Sequence, residues 1–149
     1  MGAIFQVTEQ GLYVQAPQVL KQMQGLHTDI YPGFPTDLQS VALVTALKAE
    51  GSCIIEETIF ENRFHVVEPL VHMGADVQVL DERKALVKGP VKLMGKTVEA
   101  KELRGGAALV VAGLNAEGIT TVKGCQYIMR GYENICKDLR ELGARIVSV

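Results

Sequence analysis

The stretch Leu38-Gln39-Ser40-Val41-Ala42-Leu43-Val44-Thr45-Ala46-Leu47, followed by Ala49-Glu50-Gly51 and Cys53-Ile54-Ile55, decides the fold because its pattern occurs twice. The second copy runs from Leu103 to Leu114, then Ala116-Glu117-Gly118, then Ile119-Thr120-Thr121-Val122. Apolar residues at helical spacing predict a core-facing helix in each copy, and the β-branched run after each Ala-Glu-Gly predicts a strand. An arginine follows at matching distance, Arg63 in one copy and Arg130 in the other. A second helix then ends at a glycine, where Met73-Gly74-Ala75-Asp76-Val77 parallels Leu142-Gly143-Ala144-Arg145-Ile146. Glycine accepts the positive φ that closes a helix, so Gly51, Gly74, Gly118 and Gly143 mark ends of elements. Val77-Gln78-Val79 alternates as a half-buried strand does. The unit reads helix, strand, helix, strand, with a hairpin near Asp81-Glu82-Arg83-Lys84 between units.

The beginning of the chain carries part of the same pattern. Met1-Gly2-Ala3-Ile4-Phe5-Gln6-Val7 parallels Met73 to Val79, and Leu12-Tyr13-Val14-Gln15-Ala16-Pro17 parallels Leu86-Val87-Lys88-Gly89-Pro90. The expected organisation is the tail of a preceding repeat at 1–10, one repeat at 11–84 and a second at 85–149. The chain is therefore expected to be a piece of a longer protein. The mixed-polarity segment from Gln18 to Ile30 leads into Tyr31-Pro32-Gly33-Phe34-Pro35, a stiff loop because proline fixes φ and restricts the residue before it.

The 149 residues suffice for one domain with a hydrophobic core. A formal net charge of -2 argues against nonspecific nucleic-acid binding, although a local basic pocket for an anionic metabolite remains compatible with it. No apolar run approaches the roughly 20 residues needed to span a bilayer. No basic segment followed by an apolar core opens the chain, so no signal peptide is expected. Cys53, Cys125 and Cys136 lack CxxC spacing and fit reduced thiols of a cytoplasmic protein. His27, His65 and His72 show no ligand spacing with them, so no zinc site is expected. Cys136 beside Ile135 and Leu139 reads as core, Cys125 as a small half-buried residue, and Tyr127 and Tyr132 as packing residues.

Two groups of residues could carry chemistry. Thr36-Asp37 lies at the start of the first helix. Either residue suits a cap that accepts from free N–H groups, and Asp37 equally suits a general base or a hydroxyl anchor presented by a stiff loop. Arg63, Arg104 and Arg130 each sit just before or just inside a helix. Equivalent ends of repeated units tend to share one rim, so the three arginines could converge on a carboxylate or phosphate. Ordinary surface pairing with Glu61, Glu102 or Glu133 explains them as well. Gly105-Gly106 permits close approach of a ligand or of a packed neighbour.

The motifs Tyr31 to Gln39, Glu57-Thr58-Ile59-Phe60-Glu61-Asn62-Arg63-Phe64, Leu103-Arg104-Gly105-Gly106-Ala107-Ala108-Leu109-Val110 and Arg130-Gly131-Tyr132-Glu133 occur in the order found in one enzyme family. From Tyr31 to Val149 the chain resembles the UDP-N-acetylglucosamine 1-carboxyvinyltransferases, of the enolpyruvyl transferase family, with a looser likeness before Tyr31. The sister 5-enolpyruvylshikimate-3-phosphate synthases share that fold but carry a serine-rich motif around the acidic residue, which is not found here. The resemblance implies an α/β (α+β) fold, an inside-out α/β barrel, of which this chain supplies about two tandem βαβαββ-like repeats. It implies transfer of the enolpyruvyl group of phosphoenolpyruvate to the 3-hydroxyl of UDP-N-acetylglucosamine with loss of phosphate, the first committed step of peptidoglycan synthesis, with no cofactor.

By the same resemblance Asp37 contacts and deprotonates that hydroxyl, and the backbone of Ile59 contacts the sugar nucleotide. Arg104 and Arg130 line the phosphoenolpyruvate site, and Arg63 is a further site arginine. Met129 stands where the family usually has an acidic residue, which would loosen Arg130 unless the methionine packs. The family's catalytic cysteine loop, a lysine and another arginine belong to its other domain. The isolated chain is accordingly expected to be inactive, to need the missing N-terminal part of the protein as partner, and to favour dimerisation through repeat faces left uncovered. The alternatives are a stand-alone module binding a nucleotide sugar or phosphorylated metabolite, and a repeat scaffold without a small-molecule site.

Overall fold

The computed structural model describes residues 1–148; Val149, the end of the expected second repeat, lies outside the described residues. Two hairpins have the same build. Strands β1 (Ile4–Thr8) and β2 (Gly11–Gln15) pair antiparallel, as do β5 (Asp76–Asp81) and β6 (Lys84–Gly89). Between them β3 (Leu26–His27) runs parallel to β4 (Gly51–Glu56), and β4 runs antiparallel to β6, giving a sheet of order β3-β4-β6-β5. Strands β7 (Thr97–Glu99) and β8 (Thr121–Lys123) repeat the parallel β3–β4 pair.

The repeat in the sequence is thus a repeat in space as far as the helix before Gly143, but the strand expected after Gly143 in the second copy is not formed among the described residues. The Leu26–Ile55 pair of the first unit corresponds to Val98–Val122 of the second. Gly51 and Gly118 follow the Ala-Glu pair with φ of 82° and 88°, and Gly74 and Gly143 close their helices at 97° and 92°. At those angles a Cβ would be strained, which is why both copies keep glycine.

A 3-10 turn (Thr36–Leu38) leads into α1 (Gln39–Ala46), and α2 (Val67–His72) follows β4. The second unit has α3 (Leu103–Leu114), the single turn α4 (Cys125–Ile128) and α5 (Ile135–Glu141). Helix α3 is apolar nearly all round, and Gly105 through Val110 together with Ala112 are buried. Such a helix has to lie inside. It packs against α1, and Leu43, Leu47, Leu70, Met73, Ala108 and Leu109 join Ile55 and Val87 in one core. Helices α1 and α3 sit inside and the sheets face out, the inside-out α/β arrangement expected.

Four further expectations are corrected. Val77-Gln78-Val79 is less buried than its alternation suggested: Val77 is half-buried, but Val79 is exposed because β5 is the outer strand of its sheet. Cys125 is exposed at the start of α4, with its sulfur turned toward the Val122 carbonyl at 3.4 Å. Cys136 is only half-buried, since α5 lies at the margin and contributes no buried residue. Tyr132 is exposed, in the loop between α4 and α5, while Tyr127 is half-buried as a packing residue should be. The short strands β3 and β7 and the turn α4 carry too few residues to leave a periodic signal.

Candidate active site

The site grows from the starts of α1 and α3. Ala49-Glu50-Gly51 and Ala116-Glu117-Gly118 align the two helices, and the same spacing places Asp37 opposite Arg104 in the repeat. These two residues, 67 positions apart, meet: Arg104 Nε donates to Asp37 Oδ1 at 2.5 Å. Each repeat therefore presents one charged residue at the same place, with opposite sign.

This contact overturns the capping reading. The cap position of the 3-10 turn is Pro35, and neither Thr36 nor Asp37 bonds a helical N–H. Thr36 gives its hydroxyl to Glu57, and Asp37 turns outward to Arg104. Arg104 does form a solvent-open ion pair, but with Asp37 and not with the expected Glu102. Glu102 caps α3, accepting from the N–H groups of Arg104 (2.8 Å) and Gly105, while the Arg104 side chain is free to reach Asp37. Glu61 pairs with Arg83 at 3.3 Å rather than with Arg63. The Gly105-Gly106 pair serves packing: a Cβ on Gly106 would stand 2.7 Å from Ile128 Cγ1 and 3.0 Å from Ala100 Cβ.

Electrostatics follow the geometry. The Arg104 hydrogen bond holds the Asp37 carboxyl below the usual carboxylate range, against a smaller opposing effect of burial, and Arg63 adds attraction from further off. The Asp37 bond in turn raises the pKa of Arg104. Asp37 is thus an ionised, exposed acceptor. Arg63 lies half-buried with its guanidinium 4.5 Å from the centre of the Phe60 ring. Arg130 is exposed after α4, and among the described residues no ion pair or hydrogen bond joins it to Asp37 or Arg104. Met129 beside it is 67% exposed, so it does not hold Arg130 by packing. The structure brings together Asp37 and Arg104, leaves Arg63 within electrostatic reach of Asp37, and leaves Arg130 apart.

Ile59 stands on the segment after β4. Its N–H donates to Glu57 Oε1 at 2.9 Å, as does that of Phe60 at 3.1 Å. Glu57 itself is fully buried, and it also accepts from Thr28 Oγ1 and Thr36 Oγ1, both at 2.8 Å. Burial pushes the Glu57 pKa up, but the donors Phe60, Thr36, Thr28 and Ile59 outweigh it, and the net direction is down. The sequence reading gave Glu57 no role. The signal was present in the strand: Cys53 and Ile55 point inward, and the period of two carries the next inward position to Glu57. Arg83 supports the same segment from outside, donating to the carbonyls of Glu57 (3.3 Å) and Thr58 (3.1 Å).

The Tyr31–Pro35 loop before Asp37 is locked from within. Asp29 N–H bonds the Phe34 carbonyl at 2.9 Å, Gly33 N–H bonds the Ile30 carbonyl at 2.7 Å, and Asp29 Oδ1 takes the Ile30 N–H at 2.7 Å. Gly33 is required there, since a Cβ would lie 2.5 Å from Asp29 Cβ. The neighbouring concavities are shallow; one, lined by His65, Pro69, Glu102 and Gly105 among others, adjoins the start of α3 but includes neither Asp37 nor Arg104.

A family model described as EPSP synthase (3-phosphoshikimate 1-carboxyvinyltransferase) matches residues 1–139. The chain belongs to the EPSP synthase family. Within that family it is similar to UDP-N-acetylglucosamine 1-carboxyvinyltransferase 2 of Caldanaerobacter subterraneus subsp. tengcongensis, 53% identical over 119 residues, which are 80% of this chain and 28% of that protein. The enzyme of the same name from Geobacillus kaustophilus is 44% identical over 146 residues, covering 98% of this chain and 34% of its own length. Among solved structures, the enolpyruvyl transferase NikO from Streptomyces tendae superposes with a TM-score of 0.82 at 30% identity, over 97% of this chain and 33% of NikO. EPSP synthase from Acinetobacter baumannii shares the fold at 16% identity and a TM-score of 0.57, over 82% of this chain and 30% of that one. The chain spans about a third of the length of the curated relatives it matches. No helix among the described residues is long and apolar enough to cross a membrane.

Proposed function

We propose that this chain forms one wall of an enolpyruvyl transferase site, in which the 3-hydroxyl of UDP-N-acetylglucosamine attacks phosphoenolpyruvate. The observation that carries the proposal is the Asp37–Arg104 contact, an ionised acceptor and an anion-binding guanidinium held side by side at the starts of two equivalent helices. In the proposed reaction Asp37 accepts the hydroxyl proton while the oxygen bonds to C2 of phosphoenolpyruvate and an acid on the part of the protein this chain does not span gives a proton to C3. The conjugate base of that acid then takes a proton back from C3, the double bond re-forms and phosphate departs with the C2–O electron pair. Arg104 and Arg130 would bind the phosphate and carboxylate, and their charge stabilises the leaving group as it takes up negative charge. Ile59 would hold the sugar nucleotide through its backbone, and Arg63 would add to the positive field.

The paired state bears on the acid–base step. While Arg104 holds Asp37, the carboxylate is a weak base, because the guanidinium favours its ionised form. An arriving phosphate competes for Arg104. As the pair loosens, the proton affinity of Asp37 rises toward that of an ordinary carboxylate, and the base strengthens when the second substrate is in place.

The relatives are about three times as long as this chain, and the proposal assigns the remaining groups of the site to the part it does not span. The test is release of phosphate from phosphoenolpyruvate plus UDP-N-acetylglucosamine. The expected result is none from the folded chain alone and recovery on mixing with the complementary part of a relative such as the Geobacillus enzyme. Turnover by the chain alone would refute the partial wall. Absence of turnover when both folded pieces associate would refute the reaction.

A further inference from the structure

Burying a carboxylate is costly unless several donors meet it. Glu57 is fully buried and has four: the hydroxyls of Thr28 and Thr36 and the N–H groups of Ile59 and Phe60. They come from two segments. Thr28 and Thr36 bracket the loop that ends at Asp37, whereas Ile59 and Phe60 begin the segment that ends at Arg63. A further bond, from Thr58 N–H to Thr28 Oγ1 at 2.9 Å, ties the same two segments.

The second repeat provides an internal control. Its β7–β8 pair matches β3–β4 in direction and in partners, so the positions correspond one to one. There Thr28 becomes Ala100, Glu57 becomes Gly124 and Thr36 becomes Leu103. Gly124 adopts φ 78° and a Cβ on it would run into the Ala100 carbonyl, so a glutamate has no place. The second repeat folds the equivalent segment as the turn α4 instead. The first repeat also has more chain between its leading strand and α1 than the second, and the excess is the Tyr31–Pro35 loop. The repeat architecture thus forms without the buried carboxylate, which accompanies the loop that presents Asp37.

We propose that Glu57 is a positioning residue of the site: one buried anion sets both the Asp37 segment and the Ile59–Arg63 segment, and so fixes the acceptor relative to the groups that hold the sugar nucleotide. This rests on the reading of Asp37 and Ile59 as ligand-binding residues. Glu57 touches no substrate and acts through its four donors.

Two measurements test it. The first is amide hydrogen exchange on the chain itself, with Glu57→Gln. The expected result is faster exchange, by about tenfold as charge-assisted bonds are replaced by neutral ones, at Ile59 and Phe60 and equally at Asp29 and Leu38 on the other segment, with the buried Leu47 and Leu70 amides unchanged. Faster exchange confined to Ile59 and Phe60 would overturn the coupling. The second is kcat/KM for phosphate release in the reassembled enzyme, for Glu57→Gln, Asp37→Asn and the double variant. If Glu57 works by placing Asp37, its substitution lowers kcat/KM about tenfold alone and adds little once Asp37 is gone. Additive losses would overturn the positioning role and leave the site reading intact. An Asp37→Asn enzyme of normal activity would remove the site reading and the positioning role with it. Should Glu57→Gln fail to fold, Thr36→Val removes one link and keeps the charge. It is expected to speed Leu38 exchange and lower kcat/KM, and no change in either would overturn the proposal.

Discussion

Replacing Asp37 with asparagine should separate stability from binding. The Asp37–Arg104 pair joins side chains that are 61% and 36% exposed. A pair that open to water contributes about 0–1 kcal/mol to folding. For a domain of this size 1 kcal/mol corresponds to a Tm change of about 2–4 °C, so the variant should melt within that range of the wild type. The binding effect should be larger. A hydrogen bond to a charged group is worth about 1.5–3 kcal/mol, which is about tenfold to a hundredfold in affinity for UDP-N-acetylglucosamine. Thermal unfolding and calorimetric titration on the same reassembled sample give both quantities.

The pH dependence has a definite sign. Because the folded Asp37 pKa is depressed, first by the Arg104 hydrogen bond, its contribution is fully present above the unfolded value of about 3.9 and is lost only as pH falls through the lower folded value. Wild type and variant should therefore differ in stability by a constant amount at neutral pH and converge in acid. Arg104→Ala should move the Asp37 titration back up toward the ordinary range, observable by NMR. A loss of several kcal/mol in Asp37→Asn would show that the pair is structural. Unchanged sugar-nucleotide affinity would remove Asp37 from the site.

Four further outcomes are expected. Glu57 has a depressed pKa, so its stabilisation is complete above about 4.3 and lost as pH falls through the lower folded value; Glu57→Gln should flatten that acid limb in pH-dependent denaturation. Leu109→Ala removes a 1% exposed side chain between α3 and the core and should lower the unfolding free energy by about 2–5 kcal/mol in urea titration, whereas Gly89→Ala should lower it by about 1–3 kcal/mol because the new Cβ meets the carbonyls of Ala46 at 2.8 Å and Leu47 at 2.9 Å. With a thiol reagent, the exposed Cys125 should react first and Cys53 last, since Cys53 is buried and its pKa is raised by that burial.

The two long helices, the hairpin near Asp81–Lys84 and the repeat were legible because they are periodic over many residues or end at glycines whose φ leaves few alternatives. Strands β3 and β7 were not, since two or three residues cannot display a period. Asp37 and Arg104 were legible as chemical types, but their contact was not. It depends on how α1 packs on α3, which is set by the apolar faces that meet in the core, Leu43 and Leu47 on one helix and Ala108, Leu109 and Ala112 on the other. Asp37 also read as a cap, because an acidic residue at a helix start has the same local pattern whether it bonds its own backbone or a distant arginine. Glu57 was hidden for the opposite reason. A charged residue after a strand reads as surface, and only the inward register of Cys53 and Ile55 indicates otherwise.

The two charges hold equivalent positions at the starts of two packed helices. Equivalent positions in packed repeats face each other across the helix interface, so like residues there would repel. With Asp37 in one copy and Arg104 in the other, that proximity becomes an ion pair. Several differences between the copies gather around the same spot: the Tyr31–Pro35 loop, the Thr28–Glu57–Thr36 network and the Ile59 segment belong to the first repeat, and Glu102, which caps α3 beside Arg104, belongs to the second. The shared framework positions the two helices, and the asymmetric substitutions at their starts supply the residues to which the proposed chemistry is assigned.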